Sequence, residues 1–229
     1  MKLTTQQIDQ LYLFTRQHYV EWYDLQSELV DHLANAIETQ WKENPTLTFD
    51  EALNIEFKKF GVFGFIDVVE KRKKYLNKKY NKLVLNNLKL FYSIPKIILT
   101  ITSVVIVFVL LKFSQKDIPL IQIAFALLTI LFIFGLHIIS KKTKKETQLS
   151  GKKWLFKDII FGYSSMSGLI NIPIQFVVQV KAENYTTWFL LLMSFLIILV
   201  ALIEYIVLIL IPSKSEEYLK QTYPEYGLT

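Results

Sequence analysis

Four long runs of apolar residues in the C-terminal part of this 229-residue chain limit what it can fold into. They cover about residues 94–113, 118–140, 156–180 and 186–211. An α-helix needs roughly 20 apolar residues to cross the hydrocarbon core of a bilayer, and each run is of this length. A hydrophobic content of 52% fits a small multi-pass membrane protein better than a water-soluble one. We therefore expect an all-α fold, with a small cytoplasmic helical bundle followed by a four-helix transmembrane bundle.

Lysine placement predicts how these spans are oriented. Nine Lys or Arg residues lie in residues 71–96, before the first span, and six Lys lie in the connection KKTKKETQLSGKK between spans two and three. The opposite connections, SQKD and KAENY, carry one Lys each. The positive-inside rule then places both termini in the cytoplasm, in the inner membrane of a cell. Trp154 and Trp188 are expected in the aromatic belts at the two interfaces.

The first 75 residues are predicted to form a separate cytoplasmic module of helices. Thr4 with Gln7 and Thr48 with Glu51 are capping-box pairs, so each predicts a helix start. The helix over about residues 22–41 has one apolar stripe at helical spacing, formed by Leu25, Leu29, Leu33, Ile37 and Trp41. Gly61 is expected to close the third helix, and a fourth continues into a basic juxtamembrane helix over residues 76–96.

Two stretches of this module carry a resemblance. ELVDHLANAIE (residues 28–38) and FDEALNIEFKKFG (residues 49–61) resemble the helical signalling domains associated with bacterial helix-turn-helix regulators, and the related permease-prefix domains. The resemblance covers roughly residues 8–75 and does not extend to the spans. It implies a regulatory or interaction module attached to a membrane part, often encoded beside a transcriptional regulator. It implies no catalytic residues.

One side of the second helix is a candidate interaction face, made of Asp24, Glu28, Asp31 and His32. Residues three and four apart share a helix face, so Glu28, Asp31 and His32 could instead form a metal or proton site. A zinc site usually needs a further His or Cys. We therefore expect no metal here, with His32 paired to Glu28 or capping a neighbouring helix, and an exposed acidic face that binds an unidentified cytoplasmic or membrane protein.

The basic segment after the module is predicted to contact anionic lipid headgroups. A cationic side chain close to such a surface contributes about 1 kcal/mol of attraction. The residues expected to make these contacts are Lys71, Arg72, Lys73, Lys74, Lys78 and Lys79. Nucleic-acid binding is not expected, because a basic run beside a span is accounted for by the membrane.

The last run, MSFLIILVALIEYIVLILIP (residues 193–212), carries one carboxylate, Glu204, near mid-bilayer. A charge facing lipid at that depth costs roughly 2.5–3.5 kcal/mol, so we expect Glu204 to face other spans. Its expected neighbours at similar depth or in the same half of the bilayer are Asn171, Ser164, Ser165, Lys157 and His137. These residues are either polar packing contacts between helices or a polar path for a proton, an ion or a lipid headgroup.

Enzymatic chemistry is not indicated. The chain has no Cys, and its His and Ser residues form no recognisable set of nucleophile and base or of metal ligands. We expect no cofactor. The favoured function is a non-enzymatic signalling or accessory subunit of the membrane, and the alternative is a small transporter or lipid-handling protein that uses Glu204 and Asn171. Four spans are few for a transporter acting alone, so a homo-oligomer is plausible.

Overall fold

The computed structural model describes residues 2–113, 119–162, 173–175, 186–223 and 226. All regular secondary structure within these ranges is helical, as expected. The helices are α1 (Thr5–Gln17), α2 (Tyr23–Glu43), α3 (Phe49–Lys58), α4 (Ile66–Leu90), α5 (Lys96–Phe113), α6 (Leu120–Ser150), α7 (Leu155–Phe161), α8 (Thr187–Tyr205) and α9 (Ser215–Thr222). A π-helical segment, Ile206–Leu210, and a short turn, Ile211–Ser213, join α8 to α9.

The chain divides into two compact units. The first comprises Met1–Asn77 together with Thr147–Asp158, and the second comprises Lys78–Glu146 together with Ile159–Thr229. The first unit therefore contains the module predicted over residues 1–75. It also contains a part of the connection that the sequence had placed between two spans.

The helix starts of the first unit follow the predicted capping boxes. The Thr4 hydroxyl accepts a hydrogen bond from the Gln7 backbone N–H at 3.3 Å, and the Gln7 side chain accepts from the Thr4 N–H at 2.9 Å. Thr48 and Glu51 do the same at the start of α3. The backbone N–H and hydroxyl of Thr48 bond the Glu51 carboxylate and lower its pKa. The predicted stripe of α2 is buried at all five positions.

Aromatic side chains close the core of the first unit around α3. Their ring centroids lie 4.1 to 6.1 Å apart, mostly edge to face, and the residues are Phe14, His18, Phe57, Phe60 and Phe65. Gly61 adopts the left-handed φ of +77° that its predicted role requires. Gly64 has a φ of +54°, and a Cβ there would approach the Phe57 ring to 2.9 Å. Glycine at this position permits both the turn and the aromatic packing.

Three helices in the described part of the chain are long and apolar enough to cross a membrane: Lys96–Phe113, Leu120–Ser150 and Thr187–Ser213. They correspond to the first, second and fourth predicted spans. Of the third, α7 covers the beginning and residues 173–175 are helical, whereas residues 163–172 and 176–185 lie outside the described residues. The four-helix transmembrane bundle therefore stays a prediction.

Helices α5, α6 and α8 share a hydrophobic core in the second unit. Its buried members are Leu111, Ile121, Phe125, Met193 and Ile197. Nearer the C-terminus of α6, a Cβ on Gly135 would meet Leu208 Cδ1 at 2.8 Å. This close approach shows α6 packed against the π-helical segment at a residue without a side chain, as small residues permit between membrane helices.

Two basic segments of the chain are helical. Most of the Lys-rich connection is helical, because α6 continues to Ser150 and ends where Gly151 adopts a φ of +66°. Lys, Glu and Gln are good helix formers, which favours this extension. The basic juxtamembrane segment likewise lies mostly in the second half of α4, which continues through it to Leu90.

Candidate functional site: a segment held by the N-terminal module

The segment that follows α6, residues 151–158, packs into the core of the first unit. Trp154, Leu155 and Phe156 are only 4%, 1% and 0% exposed. The Trp154 ring contacts the Tyr23 ring edge to face, with centroids 5.3 Å apart. The prediction that Trp154 lies in an interfacial aromatic belt is therefore wrong, because its ring is covered by protein. Trp188, at the start of α8, is 80% exposed.

Asp24 holds the start of α7. Its Oδ1 accepts a hydrogen bond from the Leu155 N–H at 3.0 Å in a buried position, across 131 residues of sequence. A carboxylate at a helix N-terminus satisfies an N–H without an intrahelical partner and interacts favourably with the helix dipole. Asp24 was expected on an exposed face of α2. The residue is instead only 5% exposed, because the segment covers it.

Lys153 joins the segment to the start of α2 by charge. Its Nζ lies 2.9 Å from Glu21 Oε2 and 3.5 Å from Asp158 Oδ2. The Lys153 carbonyl accepts a hydrogen bond from the Tyr23 N–H at 2.7 Å. These contacts fix both the backbone and the side chain of Lys153 against the beginning of α2.

Trp22 is the aromatic centre of this contact. Its indole N–H donates to Asp158 Oδ2 at 3.1 Å. The ammonium groups of Lys73 and Lys153 lie 4.8 Å and 4.9 Å from its ring centroid, within the range of cation–π attraction. Lys152 lies 4.5 Å from the Tyr23 ring in the same way. Two aromatic rings and three lysines thus attach α2 to the segment and to α4.

The balance of charges raises the pKa of Lys153. Burial lowers this pKa, but the hydrogen bonds to Glu21 and Asp158 and the charges of these two carboxylates together outweigh burial. The contribution of the Lys153 charge is therefore complete at pH values at which this lysine is ionised in both the folded and the unfolded chain. It is lost as the pH rises through the raised pKa.

The remaining residues of the predicted interaction face, Glu28, Asp31 and His32, are exposed. His32 lies edge-on to Phe60, with ring centroids 6.0 Å apart, which differs from the expected pairing with Glu28. Among the residues that the structure describes, no group of three or more His, Asp or Glu side chains is arranged to hold a metal ion.

The predicted headgroup contacts fall into two groups. Lys71, Lys74 and Lys78 are exposed. The others make contacts within the protein: Lys73 with Glu70 at 3.1 Å and with Trp22, Arg72 over the Tyr75 ring at 5.8 Å, and Lys79 with the Thr222 hydroxyl at 2.8 Å. Lys79 thereby connects α4 to the C-terminal helix α9. The exposed three remain available to a headgroup.

The predicted intramembrane site is only partly described. Glu204 is 9% exposed, in the last turn of α8 and two residues before the π-helical segment begins. His137 is exposed on α6, and Lys157 belongs to the first unit. Ser164, Ser165 and Asn171 lie outside the described residues.

Sequence reasoning missed the segment around Trp154 as a part of the module. The signal was the apolar triplet Trp154-Leu155-Phe156 directly after two lysines. An aromatic residue next to lysines at the edge of an apolar run also fits a bilayer interface. Only the buried contact with Asp24 distinguishes the two readings.

Comparison with known protein families, curated proteins and solved structures finds no match to this chain.

Proposed function

We propose that the chain is a non-enzymatic protein of the bacterial inner membrane, with both termini cytoplasmic, and that its N-terminal module is the regulatory or interaction part of a signalling or accessory subunit. The observation that supports this most directly is the buried hydrogen bond from the Leu155 N–H to Asp24 at 3.0 Å. The segment that Asp24 holds continues through α7 towards the third apolar run. A change in the position of α2 would therefore also displace the start of that run.

Two exposed residues of α2, Glu28 and Asp31, are placed to transmit such a change. They follow the buried Asp24 at intervals of four and three residues, so all three lie on the same side of the helix. A partner bound at Glu28 and Asp31 would contact the helix one turn from the residue that caps α7. Such a partner shifts the equilibrium between the held and the released state of the segment. The size of that shift is limited by how much its affinities for the two states differ.

The resemblance of residues 28–38 and 49–61 to helical signalling domains favours the same role. The partner in this proposal is a cytoplasmic or membrane protein. Anionic lipids are a second contact, at the exposed Lys71, Lys74 and Lys78. Assembly of two or more copies in the membrane is a further part of the proposal.

Photo-crosslinking in native membranes tests the interaction role. A photoreactive residue replaces Asp31, and the adducts are identified by mass spectrometry. We expect a discrete protein adduct whose yield falls at least about fivefold in the Glu28→Gln variant, because a charge-assisted contact contributes roughly 1.5–3 kcal/mol. Asp9→Asn removes one negative charge from an exposed position of α1 and serves as the matched control. A yield that is the same in Glu28→Gln and in the unsubstituted protein would contradict the proposal.

Zero-length crosslinking tests the hold on the segment. A carbodiimide joins an amine to a carboxylate only when they are in direct contact, as Lys153 and Glu21 are at 2.9 Å. We expect an amide between these two residues in resting membranes and a change in its yield when the captured partner is removed. A yield that does not respond to the partner would separate binding from regulation and reject the regulatory part of the proposal.

One observation favours a second function, a small transporter or lipid-handling protein. Glu204 is 9% exposed and lies two residues before the start of the π-helical segment Ile206–Leu210. Single π-helical turns are frequent at functional sites, and ionisable residues within spans are rare and often functional. Glu204 and Asn171 would be the residues that carry the site. In vesicles containing the purified protein, loss of proton or lipid movement in Glu204→Gln, with thermal unfolding unchanged, would support this function. No movement in the unsubstituted protein would reject it.

A further inference from the structure

A polar groove lies in the first unit between α2 and α3, away from the segment around Trp154. Its volume is about 390 Å³, which is within the usual range of small-ligand pockets. Residues that line it include His32, Asn35, Thr39, Gln40, Glu43, Glu56 and Lys59.

The floor of the groove is a buried carboxylate. Glu56 is 4% exposed, and both of its described contacts are made by Oε1. Lys59 Nζ lies 2.6 Å from that atom, and the Gln40 side-chain nitrogen donates to it. The Lys59 side chain is itself 63% exposed, so it reaches over the groove from solvent. A carboxylate has capacity for about four hydrogen bonds, which leaves room for another donor.

Gln40 supplies the second unusual feature. Its side-chain nitrogen faces Glu56 and the Ala52 carbonyl, an orientation that the repulsion between two oxygens dictates. Its oxygen, Oε1, is consequently buried, and within the described residues it accepts no hydrogen bond. A buried acceptor without a donor costs roughly the desolvation of that group, so native proteins rarely leave one. Gln40 lines the groove, so a ligand that donates N–H groups would complete this acceptor once the Gln40 side chain turns towards the opening.

We propose that this groove binds the guanidinium group of an arginine from a basic segment of a partner protein. Gln40 Oε1 and the carboxylates of Glu43 and Glu56 are acceptors, and arginine carries five N–H donors in a planar fork with no acceptor. Two carboxylates against one Lys59 also leave the lining with a net negative charge. Lys59 pairs with Glu56, so this charge lies on the exposed Glu43, which would repel an anionic ligand.

The charge that favours a basic occupant is that of the groove lining. Residues 1–70 carry 5 − 12 = −7, but the whole first unit, which includes residues 71–77 and 147–158, carries 12 − 13 = −1. Selection against partners of the same sign therefore depends on the carboxylates at the groove itself. This inference rests on the proposed interaction role and names the chemistry that the role would recognise.

Binding of a defined peptide tests the inference on the full-length protein in an uncharged detergent. The probe is a fluorescein-labelled Gly-Arg-Gly peptide, and its fluorescence anisotropy is measured during titration. A peptide with citrulline in place of arginine has nearly the same shape but no charge. We expect saturable binding of the arginine peptide and at least about tenfold weaker binding of the citrulline peptide, because hydrogen bonds to charged groups are the stronger ones.

Three variants assign the binding to the groove. Glu43→Gln alters an exposed side chain at the rim and should weaken binding about threefold. Gln40→Leu removes the unpaired acceptor and should weaken it about tenfold. Asp9→Asn, an exposed position on α1 outside the groove, should leave the affinity unchanged. Thermal unfolding of each variant checks the fold, and Glu43→Gln keeps the test decisive if Gln40→Leu does not fold.

Three results would overturn the assignment: no saturable binding, equal binding of the citrulline peptide, or an equal loss of affinity in Asp9→Asn and Glu43→Gln. The last would mean that the peptide senses only the overall charge. The assay measures only a short peptide, so a failure to bind would not contradict a protein adduct formed at position 31. Loss of that adduct together with intact peptide binding would instead reject the proposed function and keep the groove.

Discussion

Helices α2 and α5 both carry many apolar residues, but α2 buries these side chains and α5 exposes them. In α2 the apolar stripe is buried within the first unit, and Leu33 and Ile37 are completely covered. In α5 only 6% of the span is buried, and large side chains such as Ile98 and Leu99 are more than 60% exposed. The same residue types therefore pack against protein in one helix and point outward in the other.

The difference lies in the surroundings that each helix requires. A helix in water gains stability by burying one face, so its polar residues are sorted to the opposite side. A helix surrounded by lipid tails gains little by burying leucine against another helix, because the tails are equally apolar. The exposed apolar surface of α5 is consistent with a membrane span, and that of a water-soluble helix would not be so extensive.

The sharpest test of this comparison is a pair of identical substitutions. Leu33→Ala in α2 should lower the free energy of unfolding of the first unit by about 2–5 kcal/mol, because a cavity replaces a completely buried side chain. Leu99→Ala in α5, where the side chain is 67% exposed, should change stability by less than about 0.5 kcal/mol. Thermal unfolding in detergent measures both. Equal losses would mean that α5 is packed against protein.

Close packing in the second unit should depend on Gly135. Gly135→Leu should destabilise the contact with Leu208 by about 1–3 kcal/mol, because even a Cβ would lie 2.8 Å from Leu208 Cδ1. Leu208→Ala should recover a part of this loss in the double variant. Detergent-dependent thermal unfolding of the two single variants and the double variant gives the coupling energy. Strict additivity would show that the two residues are not in contact.

The hydrogen bond between Asp24 and the segment predicts a loss of stability similar to or smaller than that of Gly135→Leu. Asp24→Ala leaves the buried Leu155 N–H without its acceptor, at a cost of about 1–3 kcal/mol. The segment should then open more often, so trypsin should cleave after Lys152 and Lys153 at least about fivefold faster. Asp31→Ala removes an exposed carboxylate from the same helix and should leave the cleavage rate unchanged.

The smallest expected effect is an alkaline loosening of the same attachment. The pKa of Lys153 is raised above its ordinary value of 10.5, so its contribution is complete below pH 10.5 and is lost as the pH rises through the folded value. Tryptophan emission should report the release of Trp22 and Trp154. Arginine stays charged in this range, so Lys153→Arg should move the change in emission to higher pH. An unchanged transition would assign it to another group.

Much of the first unit could be predicted from its sequence because the signals are local. Capping boxes at Thr4 and Thr48 bond residues three apart, and the stripe of α2 depends only on the helical period. The spans are readable for a similar reason, since length and apolarity suffice. The burial of Asp24 was not predictable in this way. Its helix position indicates a polar side, but the segment that covers that side comes from 131 residues further along the chain.

The candidate groove shows the same limit. Most of its residues belong to two helices, and nothing in the spacing of α2 indicates that the Gln40 side chain donates to Glu56 and leaves its own oxygen buried. The sequence alone determined where α1 to α4 lie and which of the described helices can enter a bilayer, because both follow from side chains close together along the chain. Only the tertiary structure decided that the segment after α6 belongs to the N-terminal module, because a hydrogen bond between distant residues depends on how the intervening chain folds.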